Sequence, residues 1–166
     1  MHNDRDASSA RAGAASVHAP DREAIADRFA NTRAATERLA EPLSPEDMVV
    51  QSMLDASPPK WHMAHTTWFF EQFVLKDFEQ SFSWFDDDFA FLFNSYYRLV
   101  GPMHARSRRG MLTRPPVERV LAFRENVNRR MIDLLDSIDD DVLRAAAPII
   151  EIGLQHEQQH QELFLT

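Results

Sequence analysis

The chain has 166 residues, a net charge of −8 and no cysteine. That length suits one domain with a real core, and the missing thiols exclude a disulfide framework, a thiolate metal site and a cysteine nucleophile. An acidic balance without a dense Lys/Arg run argues against a nucleic-acid surface, and no apolar run is long enough to span a membrane.

The N-terminus lacks an apolar signal core, so a cytoplasmic protein is expected. Hydrophobic residues at 44% and charged residues at 27% fit a globular chain. Only 4 glycines and almost no Val/Ile/Thr alternation predict an all-α domain.

Residues 1–20 are Ala, Ser, Asp and Arg with little bulk, and read as a disordered arm ahead of a domain over 21–166. Asp21 to Leu39 is predicted as a helix, with Asp21 as its cap and its arginines and glutamates on the solvated face. Ser44-Pro45-Glu46-Asp47 reads as a second helix start leading into Met48. Ser57 is expected to cap the next helix, with Pro58 at its first position.

Lys60 to Phe78 is apolar nearly all round, which predicts a helix at the centre of a bundle. It carries His62, His65 and Glu71, and spacing does not choose between the two histidines. Ser81 to Val100 reads as a crossover loop with a short helix, whose aromatics close the core and whose aspartates are solvated. Tyr96 and Tyr97 lie within it. The loop from Gly101 to Pro116 holds Arg106, Arg108, Arg109 and Arg114. These arginines suit a carboxylate through bidentate forks, or equally the aspartate run. Pro116 to Leu135 is a further long helix.

Asp139-Asp140-Asp141 is expected to cap the last segment, and Pro148 to interrupt it before a helix from Ile149 to Thr166. That helix holds His156 and His160. Positions i and i+4 share one helix face, so the two imidazoles can grip one ion. Neutral imidazoles suit Zn, Fe, Ni or Cu. The apolar residues Ile149, Ile150, Ile152, Leu154, Leu163, Phe164 and Leu165 imply a largely buried helix, where a polar cluster must be paired, hydrated or metal-bound. Four long helices with one long crossover form a four-helix bundle, whose metal sites grow from inward side chains on facing helices.

Three stretches then carry a resemblance. Trp61-His62-Met63-Ala64-His65-Thr66-Thr67-Trp68-Phe69-Phe70-Glu71, Phe93-Asn94-Ser95-Tyr96-Tyr97 and His156-Glu157-Gln158-Gln159-His160-Gln161-Glu162 together resemble the N-terminal DinB-like domain of EgtB, the sulfoxide synthases of ergothioneine biosynthesis. The likeness runs from about Asp27 to Thr166. It implies a DinB-like four-helix bundle with mononuclear Fe(II) on His65, His156 and His160, so here the resemblance selects His65 over His62. It implies the joining of hercynine to a thiol, cysteine or γ-glutamylcysteine, with O2. Gln159 matches a glutamine that helps hold hercynine. The pair Tyr96 and Tyr97 is similar to that of the cysteine-using type, where one phenol delivers a proton or hydrogen atom. Arg106 and Arg109 look like the carboxylate clamp of the thiol substrate. Glu157 or Glu162 would orient the imidazoles.

The full enzymes of that family continue into a second domain resembling the formylglycine-generating enzyme, which walls the active site. The sequence ends at Thr166, so a half-built pocket is expected, one that binds iron better than it turns over. Three other readings compete. His156-Glu157-x-x-His160 matches the zinc-protease pattern with Glu157 as general base. A DinB-superfamily thiol transferase would carry Zn or Ni on the same histidines. A non-catalytic bundle would simply bury them.

Overall fold

The structure is a computed structural model that describes residues 20–95, 97 and 99–166. The arm read over residues 1–20 lies outside it up to residue 19, and so does Tyr96. Among the described residues every regular element is helical. None of the helices is long and apolar enough to cross a membrane.

Helix α1 spans Arg22–Ala40, and the Asp21 side chain accepts from the Ala24 backbone N–H at its start, as predicted. The start signal at Ser44 also forms: its Oγ accepts from the Asp47 N–H while Asp47 accepts from the Ser44 N–H. The chain then makes only a 3₁₀ turn, Asp47–Val49, instead of the helix expected there. Helix α2 spans Pro59–Phe70 and continues through a π-turn, Glu71–Leu75, into α3, Lys76–Phe78. Its start is one residue later than predicted: Pro58 is the cap and Pro59 opens the helix. Ser57 is not the cap, because its hydroxyl is occupied by Arg109.

Helix α4, Phe89–Phe93, is the short helix of the crossover. A 3₁₀ segment, Arg106–Met111, shapes the arginine-bearing loop. Helix α5 spans Val117–Ser137 and α6 spans Asp140–Phe164, with Asp139 accepting from two N–H groups of its first turn.

The expected break at Pro148 does not occur, and α6 is one helix of 25 residues. Proline there forfeits one backbone hydrogen bond. Pro148 and Arg144, whose carbonyl it would have met, both lie on the exposed side, where water can satisfy that carbonyl. The buried stripe Leu143, Ala146, Ile150, Gly153, Leu154 and Glu157 runs past it unbroken. Only that stripe is covered. Ile152 is 59% exposed and Leu165 71%, so the helix is less buried than its composition implied.

Helices α1 and α2 each pack against both α5 and α6. This is the four-helix bundle, with α2 innermost: every residue from Lys60 to Phe70 is buried. Trp68, Phe70 and Leu75 meet Phe123, Val127 and Leu135 of α5 and Leu154 of α6 in one core. Each fully buried side chain of this size contributes about 1.5–3 kcal/mol.

At Gly153 α6 leaves no room for a side chain against α2. A Cβ there would lie 2.6 Å from Cε1 of Phe70.

Candidate metal centre

Two polar clusters grow from α6. The first holds Glu157, which is 0% exposed. Arg33 donates to its Oε2 at 2.8 Å, Arg124 to its Oε1 at 2.7 Å and Thr36 to the same Oε1 at 2.7 Å. Arg33 also reaches Thr67 at 2.7 Å and Asn128 at 2.6 Å. One connected network therefore ties α1, α2, α5 and α6.

Burial alone would raise the Glu157 pKa, but the charges of Arg33 and Arg124 and the hydrogen bonds from Thr36 and Arg124 hold it down at about 2. Burial, together with the like charge of Arg124, lowers Arg33 to about 10 against the pull of Glu157. Arg33 was expected on the solvated face of α1. It is 2% exposed, turned inward because a buried carboxylate on α6 meets it.

The second cluster is the histidines. His65 comes from α2, and His156 and His160 from successive turns of α6. One ring nitrogen from each can be chosen so that all three lie within 4.8 Å of one another. The Nε2 atoms of His65 and His156 face each other at 3.1 Å. Two imidazole nitrogens each about 2.1 Å from a shared ion, at roughly a right angle, would lie about 3 Å apart.

The His65 Nδ1 stands 2.6 Å from the Phe93 carbonyl oxygen. A carbonyl only accepts, so Nδ1 carries the ring proton and Nε2 is bare, ready to bind a metal. The Trp61 indole stacks on this ring at 4.5 Å and fixes its plane.

Burial keeps these imidazoles neutral. It pushes His156 down to about 4, against the pull of the Glu157 charge. It lowers His160 to about 2, helped by His156, His62, Arg109 and Arg106. His65 also lies well below the usual range, through burial and then the charges of its two partners. Neutral nitrogens without a counter-charge are the donor set a borderline divalent metal takes. The buried Nδ1 of His156 has no hydrogen-bond partner among the described residues, so none of them fixes the tautomer of that ring as the Phe93 carbonyl fixes that of His65.

The histidines open into a cavity of about 250 Å³. Tyr97, Gln159, Arg106 and Arg109 line it as well, so it gathers every described residue singled out for the site. Tyr97 packs against Trp68 and Phe73, and burial raises its pKa, which keeps the phenol protonated at neutral pH.

Arg109 is buried. Its Cζ lies 3.4 Å from the centre of the Trp61 ring, and its two Nη groups donate to Ser57 and Ser95 at 2.9 Å each. It is a fixed positive wall, while Arg106 reaches the cavity from an exposed position. Among the described residues no ion pair joins a loop arginine to the aspartate run, the alternative their charge allowed. Asp86 instead pairs with Arg119 of α5 at 3.3 Å.

Glu157 does not orient the imidazoles, because both of its oxygens are taken by Arg33, Arg124 and Thr36. Glu162 is exposed. The Phe93 carbonyl performs that task for His65, a backbone role that no side-chain pattern announces. Gln51 was also missed. Its Oε1 accepts from the Gly110 N–H at 2.7 Å, and its Nε2 donates to the Ala56 and Arg106 carbonyls at 2.9 and 3.0 Å, clipping the arginine loop in place.

No curated protein matches the chain. The family profile that does match covers residues 28–164, the bundle from within α1 onward together with all three histidines, and by this match the chain belongs to the DinB superfamily.

Proposed function

We propose that the bundle is the metal-bearing domain of an EgtB-like, O2-dependent sulfoxide synthase, with Fe(II) on His65, His156 and His160. The observation that carries the reading is the shared cavity. Three neutral imidazoles, a protonated phenol, an amide and two guanidinium groups face about 250 Å³ of space, and each matches a need of one reaction. In that reaction the C–H of the hercynine ring and the S–H of the thiol are lost and a C–S bond forms. One oxygen atom ends on sulfur and the other leaves as water with both hydrogens.

When bound, iron would anchor the thiolate and activate O2. The protein supplies the rest. The Phe93 carbonyl holds the His65 tautomer. Arg106, backed by the fixed charge of Arg109, binds the carboxylate of cysteine or γ-glutamylcysteine. Gln159 orients hercynine. The Tyr97 hydroxyl gives its proton or hydrogen atom toward the reacting oxygen.

The zinc-hydrolase reading fits less well, since its general base would be Glu157, which is locked between two arginines with both oxygens in use. A Zn or Ni thiol transferase on the same three histidines is the second reading, because the donor set admits those ions too.

Anaerobic Fe(II) titration of the wild type, with and without hercynine, separates them. Stoichiometric binding that hercynine tightens and that His65→Ala abolishes is expected. Uptake of Zn(II) or Ni(II) but not Fe(II), or indifference to hercynine, would sink the synthase reading.

A further inference from the structure

A fourth histidine adjoins the metal site without a part in the account above. His62 lies three residues before His65 on α2 and is 5% exposed. Its Nδ1 stands 2.7 Å from the Nδ1 of His160. Two imidazole nitrogens at that distance share a proton, so one donates and the other is bare.

A neutral ring that gives Nε2 to a metal keeps its only proton on Nδ1. His160 in that state donates, and His62 must accept. We propose that His62 is a positioning residue: its bare Nδ1 fixes the tautomer and ring orientation of His160 and so turns the His160 Nε2 toward the metal. The arrangement repeats, with a side chain, what the Phe93 carbonyl does for His65. The inference rests on the three-histidine metal site but not on iron or on any particular substrate.

The same bookkeeping of protons assigns the other face of His62. With Nδ1 bare, its proton is on Nε2, a buried atom without a hydrogen-bond partner among the described residues. His62 also lines a second cavity of about 140 Å³ with Asp55, Ser57 and Arg106. That space is large enough for a water, to which Asp55, Ser57 and Arg106 on its wall offer partners, and a water there would accept from the Nε2–H.

His62 also touches apolar rings. Trp61 and Phe164 lie 5.7 and 6.3 Å from it, centre to centre. A role in packing alone therefore makes the opposite prediction for two substitutions. His62→Phe keeps the ring and removes the acceptor, while His62→Asn loses the ring but can place an amide oxygen where Nδ1 stood.

The test is Co(II) titration of the full chain, followed by absorbance, with proton spectra of the Co(II)-loaded protein to observe the ring N–H of each ligand. The expected result is a loss of about 10–100-fold in Co(II) affinity for His62→Phe. The His160 N–H signal of that variant exchanges faster with solvent, and His62→Asn recovers most of both properties. Wild-type affinity and an unchanged N–H signal in His62→Phe would overturn the proposal. A wild type that takes up no Co(II), or a His65→Ala variant that binds as well as wild type, would overturn the metal site itself and the role of His62 with it.

Discussion

His156 and Glu157 are neighbours in the chain, yet they belong to two centres that differ in kind. Around Glu157 charge meets charge: two guanidinium groups and a hydroxyl donate to a carboxylate whose oxygens are both used, and the Asn128 amide oxygen accepts from Arg33. Around His156 the hydrogen-bonding neighbours are neutral rings whose nitrogens face one another, with no carboxylate bonded to them among the described residues. Burial sharpens both situations, because a low dielectric strengthens satisfied pairs and penalises unmet groups. A closed network of this sort holds helices together. An open one is poised to take up a ligand, and the cavity lies on the open side.

Breaking the closed centre should have the larger consequence. Glu157→Ala leaves Arg33 and Arg124 buried without their carboxylate, and removal of one partner from such a network costs about 3–5 kcal/mol. Urea denaturation of the metal-free protein should show it, with the midpoint falling sharply. A Glu157→Ala protein as stable as wild type would mean that the network does not hold the bundle.

The next effect in size joins the two centres. Gly153→Ala puts a Cβ 2.6 Å from Phe70 Cε1 and 2.9 Å from Phe69 Cε1, and overpacking of this kind costs about 1–3 kcal/mol. Relief requires α6 to move off α2. His156 and His160 ride on α6 while His65 stays on α2, so metal affinity should fall with stability. A loss of stability at full metal affinity would show that the strain is absorbed by the phenyl rings alone.

The sequence made the open centre easier to read than the closed one. Histidines at i and i+4 announce a shared face by spacing alone, and the apolar periodicity of α1, α2, α5 and α6 was enough for the bundle. Arg33 and Glu157 are 124 positions apart, and each is of a type that is solvated by default. Nothing local says that they meet. The choice between His62 and His65 failed for a related reason. They lie on one face of α2, and only the rotation of that helix against α6 decides which ring faces His156 and which backs His160. Pro148 misled because the cost of a helical proline depends on where the freed carbonyl points. That is a matter of which side of α6 faces water.

The last effect separates the centres by pH. Burial pushes His156 down to about 4 from its ordinary 6.5, against the pull of Glu157, and His62 to about 4 by burial and by the charges of Arg109 and Arg106, against the Ser57 carbonyl. An unfolded histidine takes up its proton near 6.5 while the folded one refuses it. Stability of the metal-free chain is therefore complete above pH 6.5 and declines as pH falls toward 4. The slope is at most about 1.4 kcal/mol per pH unit for each proton. Glu157 acts lower. Its pKa is depressed from 4.5 to about 2, with the arginine charges outweighing burial, so its contribution persists above pH 4.5 and is lost between there and pH 2. Below pH 4.5 the two windows overlap, since His160 at about 2 goes on refusing its proton there. Denaturation midpoints across pH 8 to 3 should therefore fall from pH 6.5 downward, with the imidazoles alone acting above pH 4.5. Saturating metal should flatten that upper part, since the metal competes with protons for the imidazoles and leaves Glu157 untouched. A decline above pH 4.5 that metal leaves in place would mean that the imidazoles are not its source.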